Sequence, residues 1–177
     1  MASDASKVRV GVTGAVHVGD TDATLPTDAT TAVTGLGDVG YISEDGITET
    51  HDDETESIRA WQNGDEVRRV RTSHDVSWSF TFIETSATTM REFYGNHNDG
   101  TTEITGEALP HRSWVFDVID GDHVLRVVIP DGQVTERGDI TYAGSDPVGR
   151  EVTVTAFPDS DGVKATIYMA EIDPEVI

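Results

Sequence analysis

The residues from Asp75 to Phe82 alternate between polar and apolar side chains without interruption. Successive side chains of a β-strand point to opposite faces, so this alternation predicts a strand that is buried on one side only. The apolar face consists of Val76, Trp78, Phe80 and Phe82, and the polar face consists of Ser77, Ser79 and Thr81. One face therefore belongs to a hydrophobic core, and the other meets water or a polar partner.

A short helix is predicted directly after this strand. Thr85 or Ser86 can cap its amino end by accepting hydrogen bonds from free backbone N–H groups. Gly95 suits the left-handed conformation that often ends a helix. An apolar stripe for packing on the sheet is formed by Ala87, Met90, Phe93 and Tyr94.

Short strand patterns separated by turn residues fill most of the remaining chain. A bent first strand is expected over residues 8–18. Hairpin turns are expected at Asp45-Gly46 and Asn63-Gly64, since these dipeptides adopt the required left-handed backbone. A meander is expected in the last third, with turns at Asp120-Gly121, at residues 130–133 and at residues 158–162.

These patterns predict a mainly β fold, a β-sandwich or barrel of antiparallel strands with one flanking α-helix. A chain of 177 residues suits a single domain with a real core. A loop rich in Asp, Thr, Ala and Gly is expected at about residues 19–36. An acidic, peripheral tail is expected from Glu171 onward.

The chain is strongly acidic, with 12 Lys and Arg against 33 Asp and Glu and a formal net charge of -21. Such a surface repels phosphate backbones and anionic membranes, which argues against conventional nucleic-acid binding. It indicates either solubility and adaptation to salt or a surface that must keep anions from sticking. No apolar run approaches the roughly 20 residues of a membrane span, and no secretory signal is evident, so a soluble protein without membrane contact is expected.

Motifs for catalysis or cofactors are weak. Gly35, Gly37 and Gly40 match a dinucleotide-binding pattern, but they precede a strand and no helix follows them. Asp-rich turns lack the spaced ligands of a calcium loop. The six histidines form no metal-binding spacing, and with no cysteine there is neither a disulfide nor a thiol nucleophile. We therefore expect no enzymatic activity and no cofactor.

Opposite charges lie close together in the middle of the chain. The acidic run contains Asp52, Asp53, Glu54 and Glu56, and the basic cluster contains Arg68, Arg69 and Arg71. These groups either form weak salt bridges on a solvated hairpin or meet the opposite charges of a neighbouring subunit. The sequence alone favours neither interpretation.

Several stretches in order resemble the major tail protein, or tail tube subunit, of long non-contractile-tailed phages, especially those of actinobacterial hosts. They cover roughly the first hundred positions and read VGVTGAVHVG, LPTDATTAV, LGDVGYISEDGITET, IRAWQNGDEVRRV and SFTFIETSATTMREFYG. The resemblance implies the fold of phage tail tubes and of the type VI secretion tube. It also implies hexameric rings that stack into a tube for DNA ejection.

In such a tube an acidic wall would keep DNA moving, since duplex DNA carries about one charge per 1.7 Å. The resemblance implies a virion protein, assembled in the host cytoplasm, whose partners are itself, the tape measure, tail terminator and distal tail proteins, and DNA that passes without specific binding. It implies loops at residues 50–57 and 20–34 that become ordered on assembly. The candidate contacts between subunits or between stacked rings are the acidic run, the basic cluster, and Leu25, Pro26 and Asp28 of the loop at residues 20–34.

A second interpretation is a carbohydrate- or calcium-binding β-sandwich of a virion or secreted protein. Its binding platform would use Trp61, Trp78 and Trp114. The alternation of residues argues against a platform of this kind, because Trp78 and Trp114 fall on the most apolar faces of their strands.

Overall fold

Eight β-strands and one α-helix make up the part of the chain that the computed structural model describes, residue 4 and residues 7–171. In chain order they are β1 (Thr13–Gly19), β2 (Gly37–Asp38), β3 (Thr48–Arg59), β4 (Glu66–Phe82), α1 (Ala87–Tyr94), β5 (His111–Asp120), β6 (His123–Arg137), β7 (Arg150–Ala156) and β8 (Thr166–Glu171). The predicted class, mainly antiparallel β with one helix, is confirmed. Beyond Glu171, the predicted acidic tail lies outside the described residues.

The strands form one antiparallel sheet in the order β2-β1-β5-β6-β7-β4-β3, with β8 paired to β6. Residues 37–43 join the two ends of the β1-to-β4 sheet into a barrel. On one side they pair with β1, where Val39 N donates to Val16 O at 3.1 Å. On the other side they pair with β4, where Ser43 N donates to Thr81 O at 2.9 Å.

The core lies inside this barrel and is built from the alternation of the β4 sequence. Trp78 and Phe80 are 2% and 3% exposed, and Phe82 is fully buried. The rings of β4 contact those of β5 across the barrel, with 5.5 Å between the centroids of Phe80 and Phe116. Full burial of each such side chain contributes about 1.5–3 kcal/mol, so the predicted core face of β4 is confirmed.

Helix α1 is capped as predicted, but it buries a different face. Ser86 accepts a hydrogen bond from Thr89 N, and Gly95 adopts φ 90° at the carboxyl end. The buried residues of the helix are Thr89, Glu92 and Phe93. The predicted stripe is wrong in part: Ala87 is exposed, whereas Thr89, which lay outside the stripe, is buried and its hydroxyl donates to the backbone of the preceding turn. No helix in the described ranges is long and apolar enough to cross a membrane.

Turn chemistry located two hairpins correctly. Asn63 and Gly64 adopt φ 60° and 69° at the tip of the β3–β4 hairpin. Strands β5 and β6 are joined by the tight turn that begins at Asp120. Both sites need left-handed backbone, which Asn and Gly adopt at little cost.

Of the other three turn predictions, the one at residues 130–133 was wrong, and the other two turns form but do not join the strand pairs that were predicted. Residues 130–133 continue β6, where Gly132 lies close against Trp114 and Val154 in the core. Residues 158–162 do turn, but β8 then pairs with β6 and not with β7. Residues 43–46 turn between two segments that both pair with β4, so Asp45-Gly46 does not join a hairpin.

The first strand is shorter than predicted. It begins at Thr13, and it buries Val16 and Val18. Val8, Val10 and Val12 precede the strand and are 70%, 62% and 71% exposed.

The long loop between β1 and β2 is held by one buried ion pair. The Arg126 guanidinium donates to both carboxylate oxygens of Asp117, at 2.6 and 2.8 Å. Its remaining nitrogen donates to the backbone oxygens of Asp28, at 3.2 Å, and of Thr31, at 2.5 Å. The loop is thus ordered within the subunit, although the resemblance implied ordering only on assembly.

Substituting the glycine at the barrel closure should destabilise the fold. Gly40 has φ 76°, and an added Cβ would lie 2.1 Å from the Glu84 carboxylate, which accepts a hydrogen bond from Tyr41 N. Gly40→Ala should cost about 2 kcal/mol through backbone strain and the lost hydrogen bond. The control Gly46→Ala, at φ 70° with open space around it, should cost about 1 kcal/mol in urea unfolding. Equal losses would contradict the closure role.

Removing Arg126 should both destabilise the barrel and release the loop. Arg126→Met leaves the Asp117 carboxylate buried without its partner, so a loss of about 3–5 kcal/mol is expected in urea unfolding. The double variant Arg126→Met/Asp117→Leu should recover most of this stability but leave residues 20–34 open to a non-specific protease. A protected loop in the double variant would show that Arg126 does not hold it.

Candidate assembly surface

The most exposed feature of the subunit is the outer part of the β3–β4 hairpin. Strand β7 pairs with β4 only between Ser77 and Phe82. From Asp52 to Asp75 the hairpin strands therefore pair only with each other, and we call this segment the arm. The acidic run was expected in a loop, and that is wrong: it forms the outer strand of the arm. A two-stranded ribbon without further support is marginally stable in water, so the arm needs a partner surface.

One face of the arm is joined by ion pairs within the chain. The Asp53 carboxylate lies 2.6 Å from His74 Nδ1 and 3.5 Å from Arg71 Nη1. The hydrogen bond from His74 lowers the pKa of Asp53. Arg69 lies 3.1 Å from Glu66, and hydrogen bonds from Arg69 and Ser57 lower the pKa of Glu66. These pairs are solvent-exposed, so they add little to stability.

The opposite face carries charges that the subunit leaves unpaired. Asp52 stands directly across from Asp75, and like charges in this position are destabilising. Among the residues that the structure describes, Asp52, Glu54, Glu56 and Arg68 have no ion-pair partner. The basic cluster thus divides: Arg69 and Arg71 are paired within the arm, and Arg68 remains available to a neighbour.

The arm also exposes apolar side chains, of which the sequence analysis named only Trp61, as part of a carbohydrate platform and not as a subunit contact. Trp61 is 97% exposed at the turn, and Val67 is 61% exposed beside it. Ile58 and Val70 add to this surface. The signal was present, because an aromatic residue two positions before Asn63-Gly64 must lie near the tip of the hairpin.

The loop candidates lie on a separate part of the subunit. Pro26 is buried, and Leu25 and Asp28 are half-buried. The Asp28 carboxylate accepts hydrogen bonds from the Thr31 hydroxyl and from the backbone N–H groups of Thr30 and Thr31, which lower its pKa. Within the described residues, no hydrogen bond or ion pair joins this loop to the arm.

The alternative sites receive no structural support. Gly37 lies in β2 and is followed by further extended chain, not by a helix that could face a phosphate. Trp78 and Trp114 are core residues, so of the three residues of the proposed carbohydrate platform only Trp61 is exposed. In residue 4 and residues 7–171, no group of three or more His, Cys, Asp or Glu is placed to hold a metal ion.

Comparison with known proteins agrees with the resemblance seen in the sequence. No curated protein matches the chain. Among solved structures, it is similar to a chain of the native gene transfer agent virion, at 14% identity and a TM-score of 0.42, covering 84% of this chain and 99% of that one. It is also similar to a chain of the PVC sheath–tube complex of an extracellular contractile injection system, at 10% identity and a TM-score of 0.45, covering 97% and 100%.

A further similarity is to Hcp1 from Salmonella typhimurium, at 9% identity and a TM-score of 0.33, covering 90% of this chain and 95% of that one. The assignment of the family does not rest on these structures. It rests on the family model described as phage tail tube protein, which matches residues 1–176. The chain belongs to the phage tail tube protein family and is a structural subunit of such a tube.

Proposed function

We propose that this tube subunit forms hexameric rings that stack into the tail of a long non-contractile-tailed phage, as the conduit for DNA ejection. Rings of this kind are head-to-tail assemblies, closed by rotation within a ring and open along the stack. The work of the protein is then self-association without catalysis. Tape measure, tail terminator and distal tail proteins meet the ends or the lumen of the tube, and assembly takes place in the host cytoplasm.

The observation that carries this proposal is the unsupported arm. Residues 54–73, the outer part of the arm, bear four carboxylates and four guanidinium groups, so this part is neutral on a chain with a net charge of -21. Copies of so acidic a protein repel one another. A neutral segment that holds a third of the 12 basic residues is the part best able to approach a second copy.

The residues of the arm and of the loop have separate roles in this proposal. Asp52, Glu54, Glu56 and Arg68 contact a neighbouring copy directly, since no residue that the structure describes forms an ion pair with them. Asp53, Arg69 and Arg71 keep the arm in shape for that contact. Leu25, Pro26 and Asp28 present a preformed loop, whose outer residues meet an adjacent ring.

Deleting residues 54–73 of the arm should leave a folded subunit that no longer forms tubes. Residues Glu54–Ser73 are replaced by Asn-Gly, which keeps the Asp53–His74 contact and leaves the net charge unchanged. The buried Trp78 and Trp114 then report the intact barrel by fluorescence, while negative-stain microscopy scores tubes. Tubes of normal length from this variant would contradict the proposal, as would a wild-type monomer that persists and binds glycan or Ca²⁺.

Assembled tubes should not retain duplex DNA on their surfaces. Because the net charge is -21 and DNA is a polyanion, no retardation is expected at 50 mM salt, where electrostatic binding is strong. Gel retardation with purified tubes, and with a basic DNA-binding protein as the positive control, measures this. Retardation that weakens as salt rises would oppose an acidic, non-adhesive conduit.

A further inference from the structure

Two surfaces of this subunit combine exposed apolar side chains with a shape suited to contact. Of the thirteen exposed large hydrophobic side chains among the described residues, four lie on the arm and two line one cleft. The arm set is Ile58, Trp61, Val67 and Val70, and the cleft set is Val10 and Met169.

The cleft lies between the segment before β1, the start of β6 and the end of β8. We call it the terminal cleft; it has a volume of about 360 Å³ and is lined chiefly by Val10, Val118, Val124, Leu125, Met169 and Ala170. Two hydrogen bonds hold the segment before β1 against the end of β5: Val10 N donates to the Asp120 carboxylate at 3.0 Å, and Val12 N donates to Ile119 O at 3.1 Å. The terminal cleft is therefore a preformed apolar site, of the size that binding sites commonly have.

Trp61 is the side chain on the arm best suited to such a cleft. Large aromatic side chains that enter a pocket dominate the energetics of interfaces. Its indole N–H has no hydrogen-bond partner among the described residues, and a buried indole normally requires one. The carboxylates of Asp120 and Glu171 at the cleft supply acceptors.

The charges near both surfaces are compatible with contact. The arm turn carries Arg59, and the cleft carries the carboxylates of Asp120 and Glu171. The positive charge on the turn can therefore meet negative charge at the cleft. Contact between these surfaces avoids the repulsion that two strongly acidic faces would experience.

A head-to-tail assembly requires two different surfaces that fit each other on every copy. We propose that Trp61 on the arm of one subunit docks into the terminal cleft of a neighbouring copy. This inference rests on the proposed self-assembly. It adds the pair of surfaces that joins one copy to the next.

Tryptophan fluorescence tests whether Trp61 becomes buried on assembly. Trp61 is 97% exposed, whereas Trp78 and Trp114 are 2% and 0% exposed, so acrylamide quenches mainly Trp61 in the free subunit. Tubes should lose this quenchable fraction and emit at shorter wavelength, and Trp61→Phe should lack the fraction in both states. Tubes that retain the quenchable fraction would overturn the inference while leaving tube formation intact. Absence of tubes would refute the proposed function and the inference together.

Cross-linking identifies the surface that receives Trp61. The chain has no cysteine, so Gln62→Cys combined with Met169→Cys provides a single reactive pair. Oxidised tubes should give a ladder of linked subunits. The matched pair Gln62→Cys with Tyr142→Cys, at a residue that is 73% exposed against 79% for Met169, should give none. Equal ladders from both pairs, or links only within one chain, would overturn the inference.

A variant that lacks the indole measures how much this contact contributes to tube formation. Trp61→Ala should raise the protein concentration needed for tube formation roughly thirty-fold, the effect of removing a central interface residue. Tyr142→Ala is the control and should leave that concentration unchanged. An unchanged concentration for Trp61→Ala would contradict the docking of this side chain.

Discussion

The closure of the barrel by residues 37–43 is the constraint on which the rest of the structure depends. This short segment pairs with β1 through Val39 and with β4 through Ser43, so it removes two sheet edges at once. The core is enclosed only because β4 and β5 are held face to face, with Trp78 and Phe116 6.0 Å apart. Strand β7 pairs with β4 only between Ser77 and Phe82, so the outer half of the β3–β4 hairpin extends beyond the closed barrel as the arm.

Local sequence signals predicted those elements whose causes are local. The alternation of β4, the Ser86 and Gly95 caps of the helix, and the Asn63-Gly64 turn depend on neighbouring residues and were confirmed. Residues 130–133 have the same turn chemistry, yet they continue β6, because Gly132 packs in the core and the strand gains partners on both sides. The pairing of strands that are distant in the sequence determines the structure of residues 130–133, and local sequence patterns do not show which strands pair. Of the candidate site, the sequence analysis named the charges as contacts, whereas it assigned the exposed tip residue Trp61 to a carbohydrate platform.

The net negative charge of the chain lies outside residues 54–73, the outer part of the arm. The buried side chains of Arg126 and Asp117 pair with each other, whereas the excess of carboxylates lies on the surface. Burial raises the pKa of Glu92, and its contacts with Arg91, at 3.2 Å, and Arg112, at 3.5 Å, offset part of that cost. Within residues 54–73 of the arm, opposite charges balance. Copies can therefore approach closely only along a restricted set of directions, which suits an assembly with one repeated contact.

The outer strand of the arm also bears on how single copies avoid each other before assembly begins. An unpaired strand edge is a template onto which any other strand can add, and charged side chains and bulges are the usual protection. Strand β3 has five carboxylates between Thr48 and Arg59, and its register with β4 shifts after Glu54 and after Ile58. A strand so charged and irregular resists indiscriminate addition of a further strand. The acidic run therefore hinders aggregation, and a subunit that must assemble through one defined contact requires such protection.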